Sequence, residues 1–293
     1  MIFSGLCPAI VTPFGKSGKV NYSAFKKLID YQINNGANAI VFIGTTGEGS
    51  TLTQLERRSI IKFAVDYVNG RVPVIIGAGS NSTKDAIEKS IECELLGADA
   101  LLHVPPYYNK CTQNGLIEHF SSIAKAVNIP IILYNVPSRT GVNIQPQTVQ
   151  ELSKIKNIIG IKEASGNIEQ VEEIARLCGD DFAIYSGDDA LTLPILSLGG
   201  KGVISVVGNI LPMEMAELCN SYFAGNIDRA RNIQYKLNPL IKLLFKEVNP
   251  IPIKGAMKLV GIDCGNPRLP LSKANAKIIQ EIRKYMLKNQ YLA

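Results

Sequence analysis

Apolar residues along this chain gather into eight short, β-branched runs, each followed by a longer stretch in which apolar positions recur three and four apart. The runs are GLCPAIVTPF (5–14), NAIVFIGTTGE (38–48), VPVIIGAGS (72–80), ADALLHVPP (98–106), IPIILYNVP (129–137), NIIGIKEAS (157–165), FAIYSGDD (182–189) and KGVISVVGN (201–209). Between them, Phe25, Leu28, Ile29 and Ile33, and later Leu55, Ile60, Ile61, Ala64, Val65 and Val68, keep a helical period. Thr53 with Glu56 and Ser82 with Asp85 have capping-box spacing, and Gly36, Gly70 and Gly97 stand where helices should stop. Strands that are nearly all apolar are buried on both faces, which is the condition of a parallel sheet covered by helices. Eight strand–helix units therefore predict an α/β fold of the closed (β/α)8 barrel type. Strand signals end near residue 225, so the expected division is a barrel over 1–225 and a small α-helical C-terminal domain over 226–293. An open doubly wound sheet is the alternative, but GAGSNS offers Gly77 and Gly79 with Ser82 where the third glycine of a dinucleotide turn belongs.

One residue breaks the pattern. NIIGIKEASG (157–166) reads as a buried strand, yet it carries Lys162 in its middle. Stripping water from an ammonium costs several kcal/mol unless a partner or loss of the proton compensates. Three readings follow: an ion pair with a carboxylate such as Glu163, a side chain that snorkels to water, or a functional amine. Alternation along a strand puts Ile158, Gly160 and Lys162 on one face, with Gly160 leaving space below an inward-pointing amine.

Composition narrows the field. The chain has 293 residues, 46% hydrophobic and 19% charged, as in ordinary globular proteins. Apolar runs fall short of the eighteen or so residues that span a bilayer, and MIFSGLCPAIVTPF lacks a charged leader region, so the expected location is the cytoplasm. Six scattered cysteines and two histidines, His103 and His119, support neither a zinc site nor a disulfide framework. The net charge of +6 is spread in short pairs such as Lys26-Lys27 and Arg57-Arg58, which argues against nucleic acid and suits a small anionic substrate.

Barrel enzymes assemble their sites at the C-terminal ends of the strands, and the unusual residues here fall there. They are GTTGE (44–48), PPYYN (105–109), YNVPSRTG (134–141), Lys162, SGDD (186–189), and Ile204 with Ser205. Taken singly, Gly44, Gly47 and Gly187 fit turn geometry, Tyr107 and Tyr108 fit packing, and Asp188 and Asp189 fit helix caps. Together they surround a buried amine. A lysine with a pKa near 10.4 is roughly 0.1% neutral at pH 7.4, and desolvation to about 7 or 8 raises the nucleophilic fraction by two orders of magnitude or more. That is the requirement of Schiff-base chemistry on a carbonyl substrate.

From PAIVTPF through GTTGE, YYN, YNVPSRTG, GIKEASG and SGDDA to GGKGVISV, the chain resembles the N-acetylneuraminate lyase and dihydrodipicolinate synthase superfamily of class I aldolases. GTTGE and YNVPSRTG look like its synthase branch. The resemblance implies that Lys162 condenses with pyruvate and that the enamine attacks aspartate-4-semialdehyde in the diaminopimelate route to lysine. It implies proton transfer by Tyr134, with Thr45 and Tyr108 as the relay and Tyr108 acting in a neighbouring subunit's site. Thr46 matches the position that holds the pyruvate carboxylate, Arg139 the one that holds the semialdehyde carboxylate, and Gly187 and the Ile204 carbonyl further site positions. It also implies a homotetramer built from tight dimers, with no metal or organic cofactor. The nearest rival is another pyruvate-dependent aldolase of the superfamily, acting on N-acetylneuraminate or a 2-keto-3-deoxy sugar acid. A glycosidase or metal-dependent barrel using Glu48, Glu163 and Asp188 lacks tryptophan and ligand spacing, and a silent binding protein would be expected to have lost Lys162 or Tyr134.

Lysine-inhibited members of the superfamily bind that amino acid in a dimer-interface cleft. The matching positions are Gly49, Ser50, Gln54, Arg57, Asn81, Asp85 and Tyr107. Asn81 and Tyr107 fit, whereas Arg57 stands where a histidine or an uncharged group is usual and Asp85 where a glutamate is. Lysine insensitivity is the expectation, on the premise that Arg57 faces the cleft, with Asp85 free to pair with it, and does not turn out to solvent.

Overall fold

The computed structural model describes residues 1–292. Its strands are β1 (Gly5–Pro8), β2 (Ile40–Phe42), β3 (Val74–Gly77), β4 (Ala100–His103), β5 (Ile131–Asn135), β6 (Ile158–Glu163), β7 (Ala183–Ser186) and β8 (Gly202–Ser205). All eight predicted runs contain one. They pair in parallel from β2 through β8 to β1. A parallel bridge between Ala9 and Val41, with the Ile10 amide donating to the Val41 carbonyl at 3.0 Å, closes the circle between β1 and β2.

Alternation splits the apolar residues into two bodies. Cys7, Val41, Ile75, Leu102, Ile132, Tyr134, Tyr185 and Ile204 fill the lumen, while a larger cluster lies between the barrel and its helices. Phe3 enters the lumen cluster and stacks on Tyr185 with ring centroids 4.2 Å apart. The Tyr185 hydroxyl donates to the Phe3 carbonyl at 2.9 Å, so this buried phenol keeps a partner.

Helix signals hold where they were strongest. Thr53 and Glu56 form a complete capping box on the helix Gln54–Val68, and Gly36, Gly70 and Gly97 take left-handed φ angles at helix ends. At Ser82 only half the device forms: its hydroxyl accepts from the Asp85 amide, but the Asp85 carboxylate turns to Lys89.

Helices Ile227–Leu244, Ile251–Ala256 and Ala276–Lys288 follow the barrel. Buried polar contacts tie this region to the loop after β2. Lys254 and Glu48, both completely buried, form an ion pair, and the Lys254 ammonium lies over the Phe14 ring. The Arg268 amide donates to Glu48 at 2.8 Å while its guanidinium reaches Thr51, Gly18 and Glu56. Those Arg268 hydrogen bonds bring the Glu56 carboxyl down to about 2.

Candidate active site

Lys162 sits mid-lumen and only 4% exposed, with Tyr134 on β5 and Tyr185 on β7 as its register partners. Its amine lies 4.2 Å from the centroid of the Tyr134 ring. Among the described residues no carboxylate comes within ion-pair distance of it. Glu163, the partner one reading offered, points to the opposite face. There it accepts from Asn135 at 3.0 and 3.2 Å, the Ser165 amide at 2.7 Å and Gln170 at 3.0 Å, so its charge is spent on amide donors.

Two details of the sequence-based picture need correction. A bulge where Ile131 and Ile132 pair with Ile158 and Gly160 breaks the alternation: Ile158 joins the outer core, and Ile159 packs against the lumen. Gly160 and Lys162 do share the lumen face, but not because the amine needs room below it. A Cβ at Gly160 would stand 2.3 Å from the Ala183 carbonyl oxygen, so the glycine is required by the close approach of β7. Gly187 is likewise a packing glycine: its Cβ would lie 2.7 Å from that of Ala164 and 3.0 Å from the Lys162 Cγ.

Above Tyr134 opens a cavity of about 320 Å³ whose walls include Gly44, Thr45, Glu48, Tyr107, Val136, Arg139 and Asn249. Lys162 is not in its wall and is approached through Tyr134. The loops that shape this mouth hold non-glycine residues in the left-handed region: Ile43 (φ 58°), Glu48 (φ 55°) and Tyr108 (φ 69°). Such conformations cost on the order of 1–3 kcal/mol each and gather where surrounding structure fixes a functional geometry. At Glu48 the restraint is the buried pair with Lys254.

Thr46 and Arg139, the positions expected to meet carboxylates, are joined by Asn249. Its side-chain Nδ2 donates to the Thr46 hydroxyl at 3.0 Å, and its backbone carbonyl accepts from Arg139 Nη2 at 3.1 Å. Arg139 belongs to a short helix, Pro137–Thr140, on the end of β5, and is exposed at the mouth. Ile204 is buried in β8, opposite Cys7.

Comparison with known proteins agrees with this geometry. The model of the dihydrodipicolinate synthetase family matches residues 2–289. The chain belongs to that family. A 4-hydroxy-tetrahydrodipicolinate synthase of Alkaliphilus oremlandii is 52% identical over 287 residues, 97% of this chain and 99% of that one. The dihydrodipicolinate synthase structure from Thermotoga maritima superposes with a TM-score of 0.97 at 42% identity, covering 100% of both chains. One from Cyanidioschyzon merolae, solved with lysine bound, gives 0.96 at 42% identity and covers 99% of each.

Of the residues matched to the lysine cleft, this dihydrodipicolinate synthetase family chain brings Gly49, Ser50, Arg57 and Tyr107 into the wall of the same cavity, while Gln54, Asn81 and Asp85 lie outside it. Arg57 does not turn to solvent. It is 8% exposed and donates to the Gly77 carbonyl at 3.0 Å. Nor is Asp85 its partner: that carboxylate bonds Lys89, whose ammonium is 2.5 Å away. Asn81 offers its carbonyl to Asn109 at 2.9 Å. Tyr108 projects from the loop after β4 with 93% of its surface exposed.

Lys89, Asn249 and the pairing of Glu48 with Lys254 were not among the features read from the sequence. For Lys254 a signal existed, since PIPIKGAM is another apolar stretch interrupted by a lysine.

Proposed function

We propose that this chain condenses pyruvate with L-aspartate-4-semialdehyde through a Schiff base on Lys162, as a 4-hydroxy-tetrahydrodipicolinate synthase of the diaminopimelate route. The observation that carries the reading is a buried lumen lysine without a carboxylate partner among the described residues, set against a tyrosine under a cavity that holds an arginine at its mouth. The Lys162 amine adds to the C2 carbonyl of pyruvate, and loss of water leaves the imine. A C3 proton departs, the enamine carbon attacks the aldehyde carbon, and the aldehyde oxygen takes up a proton. The α-amino group of the semialdehyde then attacks C2, closes the ring and expels the Lys162 nitrogen. The protonated imine is itself the electron sink.

In this reading Tyr134 moves the protons above the imine, and Thr45 with Tyr108 of a neighbouring subunit connects it to solvent. Thr46 receives the pyruvate carboxylate, whose charge calls for hydroxyl and amide donors, and Arg139 receives the semialdehyde carboxylate. Gly187 lets the strand end pass close to the lysine stem, and the Ile204 carbonyl offers an acceptor from the neighbouring strand β8. Residues 1–225 carry the catalytic barrel and 226–293 brace its mouth, in a homotetramer of paired dimers.

Assaying the purified protein with pyruvate and aspartate-4-semialdehyde, against N-acetylneuraminate and a 2-keto-3-deoxy sugar acid, tests the substrate. Turnover of the first pair is expected to exceed the others by orders of magnitude. Borohydride added with pyruvate is expected to inactivate the enzyme and leave a reduced adduct on Lys162. An adduct on Lys254 or Lys201 overturns the assignment.

A further inference from the structure

Two polar groups of Asn249 are engaged within the site, and a third, its side-chain oxygen, stands apart from them. Its carbonyl accepts from Arg139 at 3.1 Å and its Nδ2 donates to Thr46 at 3.0 Å. The residue is 6% exposed and forms part of the cavity wall, and its Oδ1 is buried without a hydrogen-bond partner among the described residues. Buried amide oxygens are almost always satisfied, so an orphan in a cavity wall is an acceptor that a donor from the cavity should complete.

The second substrate carries such a donor. Its α-ammonium is attached to the carbon that bears the carboxylate, so wherever Arg139 fixes the carboxylate the ammonium follows within a few ångströms. Arg139 rests on Asn249 itself. We propose that Asn249 Oδ1 accepts a hydrogen bond from the α-ammonium of the amino-aldehyde, which makes Asn249 the residue that selects an amino-acid semialdehyde over one without the amine. This rests on the reaction proposed above.

A neutral amide suits the task better than a carboxylate. It can hold the ammonium while the carbon–carbon bond forms, yet it does not stabilise the charge so strongly that the nitrogen is kept from losing its proton and attacking C2. It also places no negative charge beside Thr46, where the carboxylate of pyruvate is to sit.

The test compares kcat/KM, followed as pyruvate consumption, for aspartate-4-semialdehyde and for 4-oxobutanoate, the same aldehyde without the amine. The unaltered enzyme is expected to favour the amino-aldehyde by at least about tenfold. Asn249→Ala is expected to lower its kcat/KM about 10- to 100-fold and that of 4-oxobutanoate by less than about threefold, so that the preference collapses. Asn249→Asp is nearly isosteric, keeps the acceptor and can take a bond from the Thr46 hydroxyl. It should retain the preference, and it carries the test should the alanine variant not fold. Equal losses for both aldehydes would reduce Asn249 to a brace between Thr46 and Arg139, and loss of preference in the aspartate variant would point to a donor at that position; either result overturns the proposal. If the unaltered protein forms no borohydride-trapped pyruvate adduct, the reaction itself is wrong and the proposal falls with it. An adduct together with an unaltered aldehyde preference in both variants rejects the proposal alone.

Discussion

Lys162 and Lys254 raise the same alarm in the sequence, a cation inside an apolar run, and the structure separates them by what faces each. Lys254 meets Glu48 in a fully buried pair, whereas Lys162 meets the ring of Tyr134. Burial pushes the Lys254 amine down from its ordinary value, with the Glu48 charge opposing, but an ammonium committed to a carboxylate is a structural group. The strand–helix rhythm shows that Lys162 lies in a barrel lumen, and position at a strand end marks Tyr134 and Arg139. No such rule reaches Asn249 or the partner of Glu48, because these contacts join chain some 200 residues apart in sequence. In the proposed reaction Arg139 receives the carboxylate of the second substrate. Among the described residues the one hydrogen-bond partner of its guanidinium is the Asn249 carbonyl, leaving the rest of its planar fork for a carboxylate. Arg139→Ala is expected to cut kcat/KM for aspartate-4-semialdehyde by about 100-fold while borohydride-trapped imine formation with pyruvate stays within about twofold. Equal damage to both steps would make Arg139 a support of the mouth and not a substrate ligand.

At the level of elements, the eight strands and the best-capped helices were readable because each depends on local period and local donors. The bulge in β6 was not, since it arises from the register of β5 against β6 and shifts Ile158 out of the lumen. The same distinction applies to the clamp between the β2 loop and the C-terminal helices. GTTGE reads as a turn, but the left-handed Glu48 is held there by Lys254 from the helix Ile251–Ala256 and by the amide of Arg268. Removing one partner of a buried ion pair leaves the other charge without solvent, which typically costs about 3–5 kcal/mol. Lys254→Met is therefore expected to lower the urea midpoint by that equivalent at pH 7, and adding Glu48→Gln to recover much of it, because the orphaned charge is then gone. A single-variant loss below about 1 kcal/mol would mean that water or a neighbouring cation already compensates Glu48.

For the whole molecule, two expectations concern surfaces where subunits meet. Tyr108 is held in a left-handed conformation that projects its ring almost wholly exposed, where a second chain could receive it. If it completes a partner's site, mixing inactive Tyr108→Phe and inactive Lys162→Ala protomers yields assemblies in which one site has both intact residues, and activity should return. No recovery after verified mixing would place every catalytic group in one chain. The second expectation is regulatory. The relative from Cyanidioschyzon merolae has been solved with lysine bound, and of the positions matched here to a lysine cleft, Arg57 is the one where a permanent charge stands in place of a histidine or an uncharged group. Arg57 is buried in the cavity wall against the Gly77 carbonyl, and Lys89, also in that wall, occupies the Asp85 carboxylate. A lysine ligand would thus meet two fixed cations and find the acid that should hold its ammonium already paired. At an effective dielectric of about 20, like charges roughly 6 Å apart repel by about 3 kcal/mol, equivalent to about a hundredfold in affinity. Breaking the Asp85–Lys89 bond to free the carboxylate adds to that cost and leaves the Lys89 charge uncompensated beside the ligand. The enzyme is therefore expected to keep its activity in millimolar L-lysine. A coupled assay titrated with lysine checks this, and Arg57→His with Lys89→Ala should gain sensitivity together. Half-inhibition of the unaltered protein below about a millimolar would mean that Arg57 and Lys89 swing aside at little cost.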